Sequence, residues 1–414
     1  MNGRDIFGQF LKTNSIFKNR ETLRSTYMPD ELPHREKEIG QLASVLVAAL
    51  RGETPSNVFI YGKTGTGKTC VTKFVGNQLI KAGRDAKKPI EFIYINCQVV
   101  DTQYRVLTHI TNQFIKKWDE RVPFTGWPTD EVYSKLMECI DRFGGAAVIA
   151  LDEIDKLVMK SGDDLLYNLS RINSDLKVAK ASIIGISNDL RFTELLDPRV
   201  KSSLGEEEMI FPSYAADEIR DILEKRAAMA FKDNVLPQGV LSLISALAAQ
   251  EHGDARKALD LLRVAAETSE REDSTSVKEE HVYDALKRIE SDRISEVIRT
   301  LPAQSKIILL SAIRGEELKG GSLTTGEAYE VYKQLCNIAG YGILTERRMT
   351  ELLSELDMLG IIEARVVSFG KYGRTKEIKV GEQKEEIIRA LSKDSSISEV
   401  IEMDVEKQKR LDVF

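Results

Sequence analysis

The chain has 414 residues, 42% of them apolar and 30% charged, the make-up of a globular protein with apolar sequence enough for several cores. Those proportions exclude wholesale disorder and a disulfide-dependent mini-fold. The formal charge of −6 argues against a surface built throughout to hold nucleic acid.

No apolar run long enough to span a membrane occurs, and Met1–Leu11 lacks the apolar stretch of a secretory signal. Cys70, Cys97, Cys139 and Cys336 form no C-x-x-C pair and read as reduced, buried thiols of a cytosolic protein. His34, His109, His252 and His281 are scattered, which argues against a Cys/His metal site. Charge is uneven: +4 over 1–205, −9 over 206–292, +2 over 293–381 and −3 over 382–414. Changes of pattern coincide with those cuts.

The first block alternates short apolar runs with helical stretches. Val58–Tyr61, Phe92–Ile95, Val148–Leu151 and Ile183–Ile186 are predicted strands buried on both faces of a parallel sheet. The first run leads into Gly62-Lys63-Thr64-Gly65-Thr66-Gly67-Lys68-Thr69, a full G-x-x-x-x-G-K-[ST] before a helical stretch, Cys70–Lys81. Glycines there let backbone N–H groups turn inward around phosphate oxygens, and the helix N-terminus adds positive partial charge. Lys68 supplies a point charge for the β- and γ-phosphates, and Thr69 offers a hydroxyl to Mg²⁺. Asp101–Val106 opens an amphipathic helix expected to end near Trp118, with Leu107, Ile110 and Phe114 inward.

The run Val148–Leu151 ends in Asp152-Glu153, two acids whose side chains diverge. Asp152 is suited to hold Mg²⁺, and Glu153 to orient and deprotonate the attacking water. The 84 residues from Lys68 to Asp152 leave room for a strand and helices between, so the two strands can be sheet neighbours. Ser187-Asn188-Asp189 follows the next strand, and the Asn188 amide is a candidate contact for the γ-phosphate or the water. In Asp197-Pro198-Arg199, a rigid turn presents Arg199 to a transferring phosphoryl group, in cis or from a neighbour.

The second block is helical over Ile219–Met229, Val240–Ala249 and Ala255–Ala266. Gly253 is expected to stop one helix and Asp254 to cap the next. Arg256 then falls in a first turn, where the helix dipole disfavours a cation, so an anionic partner such as a nucleotide phosphate is expected. The third block reads as a winged helix. Its helices are Leu301–Ile313, a second capped by Thr324 or Thr325 and running to about Ala339, and Glu346–Leu359 capped by Thr345. Arg347 and Arg348 start the third helix, from which side chains reach base edges and phosphates. Strands Ile361–Ser368 and Thr375–Val380 flank a two-glycine tip whose Lys371, Tyr372, Arg374 and Lys376 suit a wing on a phosphate backbone. Lys393–Phe414 is polar with little pattern, the mark of a frayed helix or of disorder. The fold class is thus α/β: a tail (1–16), a parallel-sheet nucleotide-binding core (17–205), a helical domain (206–292), a winged helix (293–381) and a polar tail (382–414).

In this order the motifs resemble the archaeal replication-origin initiators of the AAA+ ATPase superfamily. These are relatives of the eukaryotic origin recognition complex and its cell-division-cycle loading partner. The resemblance runs from about Ile16 to Val380. It rests on Pro29–Glu36, Phe59–Gly62, Thr102–Leu107, Asp197–Leu204, Glu251–Arg256 and the wing Gly370–Ile378. The ATPase motifs show no departure from the family pattern. The resemblance implies an ATPase core, a helical lid over bound ATP or ADP with Mg²⁺, and slow hydrolysis acting as a switch. It makes Asn188 the first sensor, Arg256 the second, and places Arg199 in the arginine-finger region. Leu32, Pro33, His34 and Arg35 fall near the adenine pocket, with Tyr214 and Cys70 in the same nucleotide set. Thr102, Tyr104 and Arg105 fall in an insertion that approaches the DNA minor groove. Implied partners are duplex origin DNA, the MCM replicative helicase and other initiator subunits on DNA, at a cytoplasmic, nucleoid-associated location and with no membrane. A nucleotide-regulated transcription factor or scaffold without relevant hydrolysis is the alternative, against which Glu153 argues. A helicase motor or clamp loader is a third, opposed by the winged helix and the single ATPase module.

Overall fold

The computed structural model describes residues 15–401 except Leu195, Gly205, 369–373, Glu382, Ser395, Ser396 and Glu399. The chain forms two compact units, one running to Tyr283 and the other starting at Asp284.

In the first unit, β1 (Val58–Gly62), β2 (Ile90–Asn96), β3 (Ala146–Asp152), β4 (Lys180–Ser187) and β5 (Glu207–Phe211) form a parallel sheet in the order β2-β3-β4-β1-β5. Helices cover both faces: α1 (Glu36–Arg51), α2 (Lys68–Asp85), α3 (Gln103–Gln113), α4 (Thr129–Phe143), α5 (Ile154–Ser161), α6 (Asp164–Ser170) and α7 (Pro198–Leu204). On one face Leu42 and Leu46 of α1 and Val71 and Val75 of α2 pack on Val58, Ile60, Val148 and Ile184. On the other, Val106 and Ile110 of α3 and Leu136 and Ile140 of α4 pack on Phe59, Ile93, Ile149 and Ile183. Alternate residues of each strand thus serve opposite cores, which is why the runs are apolar throughout.

The four expected strands are present, each longer than its apolar run. Three expectations change. β4 lies between β1 and β3, so the loop strand and the acid strand are not neighbours. Connection length does not encode strand order. The fifth strand, β5, went unpredicted because Glu207 and Glu208 alternate with few apolar residues. As an edge strand, it buries only Met209 and Phe211. It stands on the far side of the cut expected at residue 205, yet belongs to the core sheet. Third, α3 stops at Gln113, short of Trp118. The Asn112 amide donates to Val122 O (3.0 Å) and accepts from Val122 N–H (2.9 Å), folding the chain back.

The helical segment holds α8 (Ala216–Ala230), α9 (Gln238–Gln250) and α10 (Ala255–Arg271), and α11 (Glu279–Thr300) follows. The cut expected at residue 292 falls inside α11. The N-terminal segment is strapped to α8. Phe17 stacks on Phe231 at 5.0 Å. Arg226 donates to Thr22 O (3.1 Å) and Tyr27 O (3.2 Å).

The second unit is a winged helix: α12 (Ala303–Lys319), β6 (Leu323–Thr324), α13 (Thr325–Ala339), α14 (Glu346–Met358), β7 (Ile362–Ser368), β8 (Arg374–Val380) and α15 (Lys384–Leu391). Thr324, not Thr325, caps α13, through a box with Glu327. The short β6 turns the expected hairpin into a three-stranded antiparallel sheet, β6-β8-β7. The segment from Lys393, read as polar with little pattern, packs into the core over its described part. Ile397, Val400 and Ile401 are buried with Ile387 and Leu391 in the core of this unit. Their spacing is helical, but polar residues between them dilute the signal. No helix among the described residues is long and apolar enough to cross a membrane.

Candidate functional site

At the carboxyl end of β1 the chain turns through Gly62–Gly67 into α2. A Cβ on Gly62 would stand 2.5 Å from Phe211 O, and Gly65 and Gly67 sit at φ +70° and +91°. Glycine is required by close approach at the first position and by backbone conformation at the other two. The Lys68 ammonium folds back to donate to Gly62 O and Lys63 O, both at 2.7 Å, and is 5% exposed as a residue. Burial pushes it down to about 8; Asp152 opposes the shift and Arg256 adds to it. A phosphate at the loop would replace those two carbonyls with a stronger, charged acceptor.

Thr69 Oγ1 donates to Asp152 Oδ2 at 2.6 Å, bridging across β4. Tyr94 Oη donates to the same oxygen at 2.7 Å. Hydroxyl and carboxylate thus converge as a pair of oxygen donors, the chemistry a hard divalent cation takes. Glu153 sits in the left-handed region (φ 57°) at the start of α5. Burial, then the charges of Asp152 and Asp155, push its carboxyl above the ordinary range. Ser187 Oγ donates to buried Asp155 at 3.1 Å, tying the end of β4 to α5. Asn188 follows at that same edge, half-buried, between the acid pair and the phosphate loop.

Leu32, Pro33, Gly65, Gly67, Thr69, Cys70, Tyr214 and Arg256 line a cavity of about 490 Å³, closed on its other side by Ile222, Arg226, Met229 and Leu259. It is apolar where a base would lie and glycine-rich where phosphates would, so the residues present fit a nucleotide. Of the cysteines, Cys97, Cys139 and Cys336 are buried, while Cys70 is half-buried in this wall. His34 and Arg35 do not line it. His34 pairs with Asp221 at 3.0 Å. Arg35, 2% exposed, donates to Thr66 O (2.9 Å), His34 O (2.8 Å) and Pro212 O (2.7 Å) and stacks on Tyr214 at 3.7 Å. It props the loop from behind. Thr66 Oγ1 donates to Lys63 O, and Thr64 Oγ1 reaches Asp254.

Arg199 is not brought to this cavity. It lies 74% exposed, pairs with Asp197 at 3.1 Å and rests 5.5 Å from the Tyr167 ring. Sequence reasoning missed Arg35's propping role, Tyr94, Asp155 and Arg226. Each has a partner far along the chain, and no local spacing marks those pairs.

Several of the expected DNA contacts have partners within the chain. Thr102 caps α3, Tyr104 Oη donates to Pro123 O (2.8 Å), and Arg105 lies 3.8 Å from Asp101. On α14, Arg347 is 91% exposed and Arg348 pairs with Glu351 at 2.8 Å. Lys376 donates to Ser354 Oγ. Lys371 and Tyr372 lie outside the described residues, as does the side chain of Arg374.

Three family models match in sequence: an AAA ATPase domain over residues 31–184, the Cdc6 AAA+ ATPase-type lid domain over 220–287 and the CDC6 C-terminal winged helix domain over 296–390. The ORC1-type DNA replication protein 1 of Methanosarcina acetivorans is 56% identical over 96% of this chain and 95% of its own length. That of Thermococcus kodakarensis is 53% identical over 98% of each. The Aeropyrum pernix ORC1 protein, solved in complex with DNA, superimposes with a TM-score of 0.82 at 48% identity, covering 93% of this chain and 99% of that one. The chain belongs to the ORC1-type DNA replication proteins, and carries their ATPase, lid and winged-helix parts in that order.

Proposed function

We propose that the chain is a nucleotide-gated initiator. It holds ATP with Mg²⁺, binds duplex DNA at a replication origin and helps recruit the replicative helicase. The observation that carries the nucleotide part is the meeting of Thr69 and Asp152 at 2.6 Å beside a Lys68 folded back onto loop carbonyls. Asp152 and Thr69 hold the metal, Lys68 and Arg256 face the phosphates, and Asn188 orients the water. Glu153 takes the proton from that water. Its raised affinity for protons, from burial and two neighbouring acids, makes it a better base than a free carboxylate. Arg199, exposed and away from its own cavity, serves the site of a neighbouring copy on DNA. Turnover is slow, and the nucleotide state acts as a switch.

Contact with DNA is assigned to α14 with Arg347 and Arg348, to the wing with Lys371, Tyr372, Arg374 and Lys376, and to Thr102, Tyr104 and Arg105. The DNA complex of the 48%-identical A. pernix protein supports this reading. Changing Glu153→Gln tests whether hydrolysis belongs to the function. The expected result is an ATP turnover rate lowered about a hundredfold or more with ATP still bound. An unchanged rate removes Glu153 from the mechanism and favours a regulator that binds without hydrolysing.

A further inference from the structure

The lid meets the phosphate loop at a corner, the turn His252–Asp254 and the residue after it. His252 and Gly253 both have positive φ, +79° and +70°. A side chain on Gly253 would run into the Tyr214 carbonyl, so the corner is wedged tightly against the cavity wall. Beyond it, Asp254 is 8% exposed. Its Oδ1 accepts from the N–H groups of Arg256 (2.8 Å) and Lys257 (3.2 Å), which caps α10. Its Oδ2 accepts from Thr64 Oγ1 at 3.3 Å. The Ala255 N–H donates to Gly65 O, also at 3.3 Å. A Cβ on Gly65 would collide with the Asp254 carboxyl. Lys63 Nζ and His252 Nδ1 stand 3.4 Å apart alongside.

One carboxylate therefore joins the helix that carries Arg256 to the tip of the phosphate loop. The cavity has the loop on one wall and α8 and α10 on the other. This corner ties the loop wall directly to the α10 wall. We propose that Asp254 is a positioning residue: a latch that holds the lid on the phosphate loop, sets Arg256 against the phosphates and limits the rate at which nucleotide leaves. The inference rests on the nucleotide reading above. Capping alone would not need Thr64 or the fit to Gly65, and that difference makes the latch testable.

The test uses the full chain and release of a fluorescent ADP followed by stopped flow. Thr64→Val removes the donor while leaving α10 and its cap intact, and Thr64 is exposed, so folding is not at stake. Asp254→Ser keeps a capping oxygen but is too short to reach Thr64. Asp254→Asn keeps shape, cap and a hydrogen-bonding partner for Thr64. Thr64→Val and Asp254→Ser are each expected to speed release about fivefold, the weight of one ordinary hydrogen bond. The double variant should be no faster than either, because both remove the same contact. Asp254→Asn should stay near wild type. In nucleotide-free protein, Thr64→Val should also speed hydrogen–deuterium exchange of the Ala255 amide. Unchanged release and exchange in Thr64→Val overturns the latch, as do fivefold effects that multiply in the double variant. A wild-type chain that binds no ADP overturns the nucleotide reading instead, and the Ala255 exchange still decides the latch.

Discussion

Lys68 is the residue on which the nucleotide site turns, and its charge is held under tension. Burial holds its ammonium near 8, against 10.5 for a free lysine. A bound phosphate favours the charged form, so binding takes up a proton once the pH exceeds about 8. Affinity for ATP should then fall as the pH rises from 8 to 9.5, at a slope approaching about tenfold per unit. Fluorescent-ATP titrations across that range measure it. Lys68→Arg should bind with a flat profile, since a guanidinium does not titrate there. An equally steep profile in that variant would assign the proton to another group. Arg35 shows where single residues escape sequence reading. Two of its three carbonyl partners are 31 and 177 residues away, and it faces carbonyls rather than the cavity. The loop glycines were legible because close approach and positive φ leave no other residue type; Arg35 was expected near the adenine pocket, and its place behind the loop was not legible.

At the scale of elements, the helix at the end of the second unit is the part most at odds with a reading of the sequence. Leu391 is fully buried there, and Ile387, Ile397, Val400 and Ile401 join it in the winged-helix core. Lys306 of α12, 5% exposed, pairs with Asp394. Leu391→Ala should destabilise this unit by about 2–5 kcal/mol, read as a shifted urea midpoint in a probe reporting on it. A midpoint unchanged within error would return 384–401 to the status of a tail. The buried strands were legible because each serves two cores and must be apolar throughout. β5 was not, because an edge strand needs only every second residue inside. The placement of β4 between β1 and β3 was equally hidden. Yet that placement explains the site: it puts Asn188 between the loop and the acid pair.

For the whole molecule, the net charge of −6 averages over parts with different tasks. The −9 of residues 206–292 falls mainly on the lid, while residues 364–380 hold five basic residues and one acid. Arg347 and Arg365, 91% and 78% exposed, lie in that second, winged-helix unit. Its basic groups suit a phosphate backbone, and the acidic lid does not. On the proposed function, nucleotide state governs how the chain engages origin DNA. Footprinting on chromosomal DNA from the replication start region, once with ATP and once with ADP at equal salt, tests it most directly. A protected site whose extent or affinity differs between the two nucleotides is the predicted result. Identical footprints of equal affinity, or protection spread without preference along the DNA, would contradict it.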